Sequence, residues 1–172
     1  MPMLNRMIMM LGVTLITACS PQITEDDVVV EAATHSEHPY LFHLVQADLW
    51  EPAMENDVAY FPPTYEQDGF THATANPDLL LNVANHFYTD VPGKWWCLRM
   101  TVDSLEQAGT KVVFEGTAPV GDIEPNFEGT DDELFPHILG GIRPAAVLEV
   151  HEVSRAADGT FLSVAGVTAK IE

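Results

Sequence analysis

Residues 95–102 read Trp-Trp-Cys-Leu-Arg-Met-Thr-Val. In an extended chain, Trp96, Leu98, Met100 and Val102 fall on one side and Trp95, Cys97, Arg99 and Thr101 on the other, because successive strand side chains point to opposite faces. Both sides are largely apolar, so the segment needs cover on two faces. The pattern predicts a central or near-central strand.

The neighbouring segments supply the rest of a sheet. Residues 40–45, Tyr-Leu-Phe-His-Leu-Val, are aromatic and β-branched and predict a strand. Asp48 with Glu51 three residues on reads as a capping box, with Pro52 tolerated in the first turn and Trp50 and Met54 sharing a face. Phe61-Pro62-Pro63 starts a loop, and 69–73 reads as a second short strand. Asn76-Pro77-Asp78 is a helix start of cap, proline and first-turn acid. Leu80, Val83, Ala84 and Phe87 then repeat at helical spacing to about Tyr88. A single helical turn is expected at 104–107 and further strands at 111–115, 147–153 and 161–167, the last two joined by an Asp158-Gly159 turn. Two main helices among roughly six strands predict an α+β domain around a twisted, mostly antiparallel sheet, not a doubly wound parallel one.

Three regions follow from the N-terminal pattern: a signal peptide at 1–18, an acidic tether at 19–39 and one domain at 40–172. Residues 7–18 are apolar but shorter than the roughly 20 residues needed to span a bilayer. Small residues before a cleavage point mark a secretory signal; a plain signal peptide or an N-terminal membrane helix are the alternatives. Ile16-Thr17-Ala18-Cys19 looks like a bacterial lipobox. That resemblance implies cleavage before Cys19, lipidation of its sulfur and amine, and durable membrane anchoring. It places the protein in the cell envelope, on the periplasmic face of the outer membrane. His35 and His38 in the tether read as a solvated pair.

Charge excludes one class of partner. The chain carries 26 acidic against 7 basic residues, and no Lys or Arg lies between Met7 and Gly93. Such a surface repels phosphate backbones, so nucleic-acid binding is not expected. An anionic small molecule would need a local contact from one of the few cations. With Cys19 lipidated, Cys97 is the one remaining cysteine, and its apolar neighbours predict a buried thiol.

Residues 116–133 form a long acidic loop. Asp122, Glu124, Asn126, Glu128 and Glu133 match a calcium-loop spacing, but Phe127 stands where the turn needs glycine, so a solvated loop is the better reading. Nucleophile-elbow, zincin, Walker and dinucleotide signatures are absent. What remains is His43, His72 and His137, each among apolar neighbours on a separate segment. A core histidine bonded to a carbonyl explains any one of them alone. Three together predict a shared polar pocket, since imidazole can donate, accept, bind a metal or move a proton near neutral pH. Thr74 would join the lining, and Arg99 or Arg143 would offset ligand phosphates. His86 is expected on a helix face, and His151 at the surface or in a structural role. A three-histidine metal centre is a weaker alternative without support from spacing.

Phe42-His43-Leu44 with Trp50, Gly69-Phe70-Thr71-His72-Ala73-Thr74, the 82–88 helix and Leu134-Phe135-Pro136-His137-Ile138-Leu139-Gly140 together resemble the domain of unknown function 952 family over 40–153. More distantly, the layout looks like the ADP-ribosyltransferase fold. That resemblance implies an NAD-related ligand and a glycosyl or ADP-ribosyl transfer or hydrolysis. His43 would touch a ribose hydroxyl. His72 and His137 would be the catalytic candidates, in the second and third motif positions. The fold's late glutamate has two candidates here, Glu115 and Glu149. The competing expectation is a non-enzymatic envelope lipoprotein that uses the pocket structurally or for a partner.

Overall fold

The computed structural model describes residues 38–130 and 133–171; the expected signal segment, Cys19 and His35 lie outside the described residues. Most of the segment 95–102 forms an inner strand, which ends at Met100 where Thr101 caps a helix. It is β3 (Trp95–Met100), with β1 (Leu41–Gln46) on one side and β6 (Glu149–Arg155) on the other, both antiparallel. Leu98 and Met100 pack with Leu41, Val45, Trp50 and Leu105 in one core cluster. Trp95 and Cys97 pack with Phe42, Leu44, Leu80 and Phe161 in the other. Fully burying each such side chain contributes about 1.5–3 kcal/mol, so both faces of β3 hold the domain together.

The domain is α+β and its strand pairings are antiparallel, as expected, but the sheet is divided. Strands run β1-β3-β6-β7 in one sheet, with β7 at Phe161–Val164. The other sheet runs β2-β5-β4, from Thr71–His72, Phe135–Leu139 and Lys111–Glu115. The two meet where Phe42 N donates to Thr74 O (2.8 Å) and Thr74 N to Phe42 O (2.9 Å). The segment around His137, unassigned in sequence, is β5, which makes seven strands among the described residues where six were expected.

Helices differ from expectation in instructive ways. Helix α1 (Ala47–Glu55) begins before Asp48, and no side chain caps it; Ala47 N instead donates to Lys94 O at 2.8 Å. Glu51 accepts from Trp96 Nε1 (3.2 Å) rather than closing a capping box. Trp50 is buried and Met54 exposed, so they do not share a core face. A short α2 (Tyr65–Asp68) was not foreseen. Asn76 caps as expected, its Oδ1 accepting from Asp78 N (3.1 Å), but the first turn is 3-10 (Pro77–Leu79) before α3 (Leu80–Phe87). The expected turn at 104–107 is a full α4 (Val102–Gln107), capped by Thr101 with Ser104 reciprocating.

Candidate functional site: a histidine-lined cleft

Helix α2 ends at Gly69, whose φ of 80° a side-chain-bearing residue rarely adopts. That turn delivers the two residues of β2 onto β5. The register pairs Thr71 with Ile138 and His72 with His137. Alternation therefore sends Thr71 and Ile138 into the core and places the two imidazoles side by side on the other face. Their ring centroids are 5.7 Å apart, and Phe70 stacks on His137 at 3.9 Å with 20° between planes. From the other sheet comes His43, whose Nδ1–H donates to the His72 carbonyl at 2.7 Å while its ring leans on Tyr60.

His43, His72, His137 and Thr74 all line one narrow cleft. Helix α3 contributes Leu80, Val83, Phe87 and the following Tyr88 to its wall. The acidic loop closes the rim with Thr117, Ala118, Val120, Pro125 and Phe127. The loop is fastened at several points. His86 Nε2–H donates to Glu124 O (2.6 Å), Gln67 Nε2 to Asp122 Oδ1 (2.8 Å), and Phe127 packs on Phe87 and His86.

Each histidine has its proton placed by an oxygen partner. His137 Nδ1–H donates to Glu115 Oε2 at 3.0 Å, a diagonal neighbour across the β4–β5 ladder. His72 Nε2–H donates to Asp68 Oδ2 at 3.1 Å, and the same carboxylate accepts from Gly121 N at 3.1 Å. Burial pushes His43 down to about 4, against the opposing pull of its bond to the His72 carbonyl. Burial also lowers His72, with Asp68 opposing. The Nε2 atoms of His43 and His137 are buried and without a protein partner. Buried polar atoms are almost always bonded; Trp50 Nε1, Trp95 Nε1, Arg99 Nε and His151 Nε2 are also buried without a hydrogen bond, but none of those residues lines the cleft.

The remaining candidates sit elsewhere. Arg99 does not line the cleft: it pairs with Glu149 directly across the β3–β6 ladder (2.8 Å) and lies 4.4 Å from the Tyr40 ring centroid. Arg143 is exposed at the start of a 3-10 turn, also off the cleft. Neither Lys nor Arg, and neither Asp nor Glu, is among the lining residues. Of the two glutamates, Glu115 stands behind His137, while Glu149 is taken by Arg99 and His151. His151 Nδ1–H donates to Ala165 O (2.9 Å). Cys97 is fully buried, and burial pushes its thiol up. Among the described residues, no group of three or more His, Cys, Asp or Glu is placed to hold a metal ion.

Sequence reasoning missed Asp68, Phe70 and Phe127. The four-residue spacing from Asp68 to His72, the helical pairing distance, was one available signal. The few apolar residues inside an otherwise acidic loop were another.

The chain belongs to the family described as protein of unknown function DUF952, whose model matches residues 44–150. The fold is similar to the crystal structure of protein CC0527 from Caulobacter crescentus, with a TM-score of 0.54 and 15% identity over 71% of this chain and 92% of that one. A double mutant of CC0527 matches alike, at TM-score 0.53 and 16% identity, with the same coverage. No curated protein matches the sequence.

Proposed function

We propose that this protein is a lipid-anchored component of the cell envelope whose histidine-lined cleft, on an ADP-ribosyltransferase-like scaffold, binds a small nucleoside- or nucleotide-type ligand by its ribose. The observation that carries this reading is that His43, His72 and His137, from three strands of two sheets, line one cleft. Two of them have a buried Nε2 without a partner. Hydroxyl groups of a sugar would satisfy such atoms. The aromatic wall of Phe87, Tyr88 and Phe127 suits a planar base.

Glycosyl transfer is the second reading, favoured by the His137–Glu115 pair. His137 Nε2 can take a proton from a hydroxyl while Glu115 holds the resulting imidazolium. A lining without any carboxylate weighs for binding rather than transfer, because an oxocarbenium-like transition state has no charged partner there.

A thermal-shift series with adenosine, ADP-ribose and NAD tests the ligand reading. A ligand at about 100 times its dissociation constant adds about 2.7 kcal/mol, and no shift with any of the three sinks it. The anchor has its own test. Cys19→Ser should move the protein from the membrane to the soluble fraction, and a variant that stays membrane-bound would refute lipidation.

A further inference from the structure

We infer that the cleft takes its ligand as an uncharged hydroxyl donor, a nucleoside or other ribose glycoside without phosphate, and that its imidazoles serve as hydrogen-bond acceptors. The inference rests on the ribose-binding reading above and narrows it.

The argument is a count of protons. A neutral imidazole carries one N–H and one acceptor nitrogen. His43 gives its N–H to the His72 carbonyl. His137 gives its N–H to Glu115 and His72 to Asp68, both carboxylate acceptors. All three N–H groups point at protein oxygens. The nitrogens left over, Nε2 of His43 and His137 and Nδ1 of His72, can only accept.

A phosphate is the wrong guest for that set. It brings acceptor oxygens and negative charge to acceptor nitrogens. No Lys or Arg lines the cleft to meet it, and two carboxylates stand directly behind the histidines. The formal charge of −19 adds long-range repulsion. Ribose hydroxyls are donors without charge and match acceptor nitrogens. Arg99 is held by Glu149 and Tyr40.

Calorimetric titration of the wild-type protein with adenosine and with adenosine monophosphate at low salt is the test. Adenosine should bind, and the monophosphate at least about tenfold more weakly. Thr117→Lys, which adds a cation at the cleft rim, should bring the monophosphate's affinity closer to that of adenosine. Imidazole nitrogen NMR should show the His137 proton on Nδ1, with the Nε2 resonance moving when adenosine is added. Equal or tighter binding of the monophosphate, or a proton on Nε2 of His137, overturns the inference while leaving ribose binding standing. If neither compound binds, the ribose reading itself fails and the inference with it.

Discussion

His43 is held neutral by its surroundings, and that has a signature in stability. Its folded value near 4 lies below its ordinary 6.5, so between these values the unfolded chain takes up the proton more readily. The stability it contributes is complete above about pH 6.5 and is lost as the pH falls through 4, by roughly 3 kcal/mol over the window. His72 acts in the same direction. His43→Asn keeps an N–H for the His72 carbonyl and removes the titration. Its urea midpoint should fall less than the wild type's between pH 6.5 and 4; parallel curves would show that His43 carries no such penalty. At this scale the three histidines were legible, because polar residues in apolar segments are conspicuous. Their partners were not. Asp68 and Glu115 reach the rings through a helix end and a strand register, which only the assembled sheet sets. Arg99 was read as a ligand contact, but a carboxylate directly opposite on β6 claims it.

Among the elements, the β6–β7 hairpin shows how a turn is bolted to a distant helix. Arg155 donates to the carbonyls of Val91, Thr89 and Gly159 at 2.8–2.9 Å, and its guanidinium carbon lies 4.4 Å from the Phe161 ring centroid. Asn85 on α3 makes two hydrogen bonds to the Phe161 backbone. Gly159 sits at φ 95°, and a Cβ there would come within 2.1 Å of the Thr89 carbonyl. Gly159→Ala should therefore cost roughly 2–4 kcal/mol, from strain and overpacking together. Gly109 has a similar φ of 87° with open space around it, so Gly109→Ala should cost only about 1 kcal/mol. Equal urea midpoints for the two variants would deny the steric part. Strands 95–100 and 111–115 and the Asn76 start were readable because alternation and capping are local. The start of α1 was not, since the group that satisfies its first amide is a carbonyl 47 residues on, at Lys94. The second short strand read at 69–73 is present but shorter, pairing only at Thr71–His72 because Gly69 still closes α2.

For the molecule as a whole, acidity is the dominant long-range force. Against a formal charge of −19, one Arg–carboxylate pair, Arg99–Glu149, is present among the described residues. Raising the salt from 0.01 to 1 M shrinks the Debye length from about 30 to about 3 Å. Each kcal/mol of repulsion so removed should raise Tm by roughly 2–4 °C. A Tm that falls with sodium chloride would mean that favourable pairs outweigh repulsion. The α+β class was visible from element order, whereas the division into two sheets was not, because pairing order depends on which strand ends meet.

That division gives the cleft an unusual station. The Phe42–Thr74 pair and the His43–His72 bond are stitches across a seam between two sheets, and the pocket straddles it. Its width is a gauge of how firmly the two sheets are clasped. A guest gripping His43 on one side and His137 on the other would act as a buckle. Occupancy would then be written in the amide exchange of Phe42 and Thr74, while the inner ladder of β3 stayed unchanged.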